Sequence, residues 1–320
     1  PRSGNRGGYT MQKSVSDAPK VRHPSEFRQE DWGDKIFDIV VWLLVAIAVV
    51  LCVYPFLYVL SVSLSDGAAV NRGDVWLLPV GLDLHALKMV LGYKELWTSY
   101  GNTVLYTVLG TLCNVGFSIL AAYPLSRRQF FLRKKLNFLL AFTMYFSGGL
   151  IPTYMVVTGL GLYNSRWAMI LPVLISAYNV MILRSAFEGI PEELFENANL
   201  EGANDFVMMS KIAVPLAKPT LAVLCLYYAV ARYNDFFTAL LYLGKNKLHP
   251  LTLFLRKILR SASPEILQQS GGLTAANAAA QSTMQVQYVC IVLAVIPIMC
   301  VCPLVQKYLV KGTMLGAVKG

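Results

Sequence analysis

The chain of 320 residues is 56% hydrophobic and only 14% charged, with a mean hydropathy of +0.52. Soluble globular domains carry about a quarter charged residues, so this balance excludes an ordinary soluble domain and points to an integral membrane protein. The net charge of +10 comes from basic residues that flank apolar runs, which is the membrane-orientation pattern, and no nucleic-acid-binding motif accompanies them.

Residues 1–34 are rich in Gly, Ser, Pro and charge, and are read as a flexible cytoplasmic tail. They show no cleavable signal peptide, and the absence of an initial Met is read as processing or truncation. A run from Ile36 to Ser61 is long enough to cross a hydrocarbon core of about 30 Å, with a kink expected at Pro55. An outer segment, 63–96, follows with room for a short helix. A second span is expected near 98–125. Arg127, Arg128, Arg133, Lys134 and Lys135 then crowd one short loop, the strongest inside marker in the chain.

Span three is expected over 136–157, with Gly148, Gly149 and Pro152 inside it, and span four over 167–187, interrupted by Pro172. After a polar loop, span five covers 220–243, a long outer loop occupies 244–285, and span six runs over 286–309. A cytoplasmic tail, 311–320, closes a membrane domain of residues 35–310. Of the 28 Lys and Arg, 18 fall in segments read as inside and nine outside, five of those in the long loop. The reading is an all-α integral membrane protein of six transmembrane helices, both ends cytoplasmic.

The polar island EGIPEELFENANLEGANDFVMMSKIAVPLAKP, 188–219, is the most informative stretch. Pro191 suits the first turn of a helix whose start favours the negative charges of Glu192 and Glu193. Gly202 permits a backbone turn. A second helix is expected from Asn204 to Ile212, stopped by Pro215 and Pro219. Two short helices at a sharp angle on the membrane surface make a docking knob.

Glu196, Ala198, Gly202, Ala203, Ile212 and Pro215 resemble the EAA loop of ABC importer permeases, with Asn197, Glu201 and Met209 where the commonest pattern has Ala, Asp and Phe. The resemblance covers residues 33–320, through IFDIVVW, YPFLYVLSVSLS, IPTYMV, GLGLYNS and the closing VKGTMLGAVKG. It lies nearest the LplC-type branch of carbohydrate permeases, related to the maltose permease MalG. It implies a type I importer fold, with 188–219 as the coupling helix loop and Glu196 pairing with an arginine of an ATPase. It also implies a sister permease (a heterodimer), two ATP-binding subunits that hold ATP and Mg, and an extracytoplasmic solute-binding protein in the bacterial inner membrane. The chain itself would bind no cofactor. Gly316, Lys319 and Gly320 resemble the MalG-type tail that reaches between the ATPases; a frayed end is the other reading.

No Walker A loop, HExxH or GxSxG is present, and His23, His85 and His249 are scattered, so neither ATP chemistry nor a metal or triad site is expected. The six cysteines all fall in apolar spans and read as buried free thiols. Arg232, with Asn234 and Asp235, is costly in a span and therefore a functional candidate. It either meets a sugar carboxylate or hydroxyl, or pairs internally with Asp235 or with the sister subunit. Tyr227, Tyr228, Tyr233, Asn179 and Ser176 suit a sugar path, and helix packing explains each as well. Leu251, Phe254, Leu255, Ile258 and Leu259 form an amphipathic helical face, read as lying on the outer membrane surface or packing on the binding protein. The 261–285 segment either reaches into that protein's sugar cleft or is a linker. The function expected is oligosaccharide import, with acidic sugars such as alginate or pectin fragments conceivable. The competing class is a stand-alone secondary transporter, which calls for inverted repeats and ionisable relays that the sequence does not display.

Overall fold

The computed structural model describes residues 32–261 and 285–300. The tail residues Gly316, Lys319 and Gly320, Cys302, most of the 1–34 tail and most of the 261–285 segment lie outside the described residues. The chain forms two units, up to Val53 and from Tyr54 onward. Helix α1, Trp32–Leu64, continues through Pro55. In the first unit its side chains from Ile36 to Leu51 are exposed, as an apolar helix in lipid requires.

In the second unit, two short helices, α2 (Gly67–Arg72) and α3 (His85–Leu91), lie in the 63–96 segment. Hydroxyls tie it together: Ser61 Oγ donates to Leu77 O at 2.6 Å, and Val80 N–H donates to Ser65 Oγ at 3.1 Å. Helix α4, Lys94–Ser126, is the central element. Its buried face repeats small or polar residues about every turn, Ser99, Thr103, Gly110, Asn114, Ser118 and Ala122. Small residues let backbones approach closely where lipid provides no hydrophobic drive between helices. Against α4 pack α7 (Ala177–Glu188) and α10 (Lys218–Tyr233).

The third expected span is not one helix. It is α5 (Arg133–Tyr145) and α6 (Leu150–Gly159), bent by 114°. Gly149, at φ +86°, takes a conformation that side chains resist, which is why the break falls there. The fourth comprises two 3-10 turns across Pro172, Arg166–Val173, bent by 54° from α7. The fifth ends early: α10 stops at Tyr233, and α11 (Phe237–Tyr242) resumes after Asn234–Phe236. The last described helix is α13, Gln285–Cys300. Two helices among the described residues are long and apolar enough to cross a membrane, or up to five if each bent pair is one span.

The amphipathic helix α12, Leu251–Ser261, corrects an expectation. Most of its apolar face is buried within the chain itself. Leu251, Phe254 and Leu255 are buried against Ala86 and Val90 of α3, Leu96 of α4, and Val289, Cys290 and Leu293 of α13. Periodicity identifies a helix that needs an apolar partner, but not which partner it finds. The cysteines also differ from expectation. Cys290 alone is buried among those described, whereas Cys52, Cys225 and Cys300 are exposed. An apolar span need not turn its thiols toward its own chain.

Candidate docking surface

The 188–219 loop folds into α8, Glu192–Leu200, and α9, Asp205–Leu216. Pro191 sits at the N-cap of α8 rather than in its first turn. At the other end, Gly202 N–H donates to Asn199 O at 3.0 Å and Ala203 N–H to Ala198 O at 2.9 Å, with Gly202 at φ +82°. This pair of bonds is a Schellman cap, which satisfies the last carbonyls of α8 and turns the chain sharply. It also explains the motif spacing. Ala198 and Ala203 are the capping partners, both packed against the core, and Gly202 supplies the left-handed turn between them. Asn204 then caps α9, its Oδ1 accepting from Val207 N–H at 2.9 Å.

Pro215 does not stop α9. The helix widens to π geometry over Met209–Ala213, where Val214 N–H reaches back to Met209 O. That wide turn accommodates the missing N–H and the ring of Pro215 inside the helix. The chain turns after Leu216 instead, and α10 departs at 83° with Pro219 in its first turn.

Underneath, Phe195, Met208, Ala213 and Ala217 share one buried cluster with Ala122, Tyr123 and Leu125 of α4, Val180, Leu183 and Phe187 of α7, and Leu224 of α10. Ile212 packs on it. The motif's apolar residues therefore root the knob in three long helices. Its outer side carries Leu200, 87% exposed, and Phe206, 71% exposed, beside exposed Glu196, Glu201 and Asp205. Exposed apolar tips with an acidic rim suit a basic cleft on a partner.

The basic loop before α5 holds the base of α8. The Arg127 guanidinium lies 3.8 Å from the centroid of the Phe195 ring, a cation–π contact. Arg133 and Arg184 both bond the Glu188 carboxylate, Arg184 at 2.9 Å. Partial burial alone would push the Glu188 carboxyl up, but hydrogen bonds and charge from Arg184 and Arg133 outweigh it and hold it below its ordinary 4.5. No group of three or more His, Cys, Asp or Glu able to hold a metal occurs among the described residues.

The residues expected to line a sugar path are mostly bonded within the chain. Arg232 Nη1 donates to Met169 O at 3.0 Å and pairs with Asp235 at 3.4 Å. Tyr228 and Ser118 hydroxyls meet at 2.7 Å, and Tyr233 donates to Ala294 O at 2.8 Å. Asn179 is buried, its N–H bonded to Ser176 Oγ in the cap of α7. Asn234 and Tyr227 are exposed. Sequence reasoning missed Asn114 and Gly110 of α4. Asn114 donates to Val173 O and Leu174 O at 2.7 and 2.8 Å, and a Cβ at Gly110 would come within 3.0 Å of Arg232 Cδ. Asn114 and Arg232 thus satisfy carbonyls that the 3-10 stretch leaves open, as a broken helix at membrane depth demands. An Asn inside an apolar span was the signal available.

The sequence matches, over residues 25–314, the family described as binding-protein-dependent transport system inner membrane component. It is 36% identical over 288 residues to the polygalacturonan/rhamnogalacturonan transport system permease protein YtcP of Bacillus subtilis, covering 90% of this chain and 99% of that one. It is also 36% identical over 286 residues to protein LplC of the same organism, covering 89% and 96%. Among solved structures it is similar to a chain from a bacterial ABC transporter involved in the import of the acidic polysaccharide alginate. The TM-score there is 0.77 at 36% identity, over 87% of this chain and 98% of that chain.

Proposed function

The chain belongs to the binding-protein-dependent transport system inner membrane components, and from that premise we propose that it is the permease subunit of an ABC importer for acidic oligosaccharides. The observation that carries the reading is the knob of α8 and α9. It is rigid at its Schellman turn, rooted in α4, α7 and α10, and apolar with an acidic rim where it faces outward. Such a knob transmits a push from a docked partner into the helices without deforming. In this reading two ATPase subunits bind ATP and Mg and grip α8 through Glu196, Leu200 and Phe206. A sister permease completes the sugar path, and a solute-binding protein delivers the sugar. Closure of the ATPases reorients the helices in alternating access. The six-span topology, with both ends cytoplasmic, belongs to the same proposal.

The substrate class follows from two relatives whose names specify polygalacturonan/rhamnogalacturonan and alginate, both acidic polymers. Within the chain, Asn234 and Tyr227 are exposed and supply an amide and an aromatic face for a sugar.

The test is affinity purification of the tagged chain from mild detergent, with partners identified by mass spectrometry. Wild type is expected to bring down an ATPase, a second permease and a binding protein. Gly202→Pro, whose ring cannot take φ +82°, is expected to lose the ATPase alone, whereas Gly202→Asn keeps it. The recovered binding protein should prefer uronic over neutral oligosaccharides. Wild type recovered alone, yet moving solute in liposomes without ATP, would sink the importer reading.

A further inference from the structure

We propose that Glu188 is a positioning residue for coupling: paired at once with Arg184 and Arg133, it makes the docking knob and the ends of α4 and α5 move as one body. This rests on the importer reading above. Glu188 is the last residue of α7, and only Gly189, Ile190 and Pro191 separate it from α8. That link has little slack, because Gly189 N–H bonds Ser185 O, Ile190 N–H bonds Phe187 O, and Ile190 packs on the core beneath. A force on α8 therefore arrives first at Glu188.

From there the carboxylate divides the load. One oxygen accepts from Arg184 on its own helix, and the other accepts from Arg133 at the start of α5. Arg133 in turn donates through Nε to Leu125 O at 3.1 Å, near the C-terminus of α4. A single carboxylate thus joins the end of α7 to the start of α5 and, through Arg133, to the end of α4. The neighbouring pair Arg128–Glu192 cannot substitute for it. At 3.6 Å, with the arginine 81% exposed, it is a solvated contact of little weight. The Glu188 network is about three-quarters buried at each partner. Removing the carboxylate also leaves the Arg184 and Arg133 charges facing each other, so the joint is repelled as well as released.

The experiment uses the assembled transporter in liposomes, reading sugar uptake and ATP hydrolysis on the same sample. Glu188→Gln and Arg133→Gln are each expected to keep the ATPase bound while sugar moved per ATP falls about tenfold. The double variant should be no worse than the worse single, because both remove one joint. Should Glu188→Gln fail to enter the membrane, Arg133→Lys carries the test. It keeps the charge but replaces the two separate nitrogens that serve Leu125 and Glu188 with one ammonium, and an intermediate loss of sugar per ATP is expected. An unchanged ratio in the variants that assemble, or losses that multiply in the double, overturns the clamp and leaves the importer reading intact. A wild-type chain that recruits no ATPase overturns both.

Discussion

Glu188 and Arg232 are both charged residues at the edge of apolar helices, but their neighbours make them different objects. Glu188 sits at the end of α7, with its carboxyl held below the ordinary 4.5 by two arginines. A depressed folded-state value means that the ionised group stabilises the fold at every pH above 4.5, and that this contribution is lost as pH falls through the folded value. Wild type should therefore melt above Glu188→Gln by the equivalent of about 1 kcal/mol from roughly pH 8 to pH 5, with the gap closing at more acid pH. Thermal melts in detergent across that range measure it; a gap that closes already between about pH 8 and pH 6 would assign the effect to another group. Arg232 was legible as costly, since a cation in a span demands a partner. Its partners were not equally legible. Asp235 is three residues away, but Met169 O is 63 residues distant and is open only because Pro172 lies in a stretch of 3-10 turns.

At the scale of elements, short-range chemistry predicted well and continuity predicted poorly. The knob was readable because its determinants are local: an N-terminal Pro and acidic pair, and a Gly at the turn before a second helix. Its π turn was not, because Pro215 as a helix stop and Pro215 inside a widened helix have the same sequence. Spans three and five were drawn as single helices because hydropathy averages over a window and does not register a break of a few residues. Helix α12 shows the same division. Its apolar stripe announced a buried face, while the choice of α3 and α13 as partners depends on tertiary placement. Leu251→Ala is accordingly expected to cost about 2–5 kcal/mol of stability, read as the melting shift of the purified protein. Lys257→Ala, which loses an exposed contact with Asn246 at 3.4 Å, should cost less than about 0.5 kcal/mol. Near-equal small shifts for the two would mean that the face of α12 does not rest on the protein.

For the whole molecule, topology is the property that composition constrains most directly. In a cysteine-free background, a membrane-impermeant thiol reagent applied to spheroplasts should label Ser263→Cys in the long loop and leave Ser14→Cys untouched until the membrane is opened. The reverse pattern would invert the orientation argued from the Lys and Arg distribution. By itself the sequence determined that this is a helical membrane protein, where its polar loop of two short helices lies, and the family resemblance that the matches then bore out. Those properties follow from hydropathy, charge and local capping, which act over a few turns of chain. Only the tertiary structure decided which helices break, which face of α4 is buried, where α12 rests, and that Arg133 pairs with Glu188. These depend on pairing groups far apart in the chain, and inside lipid a polar group that finds no partner is too costly to leave open.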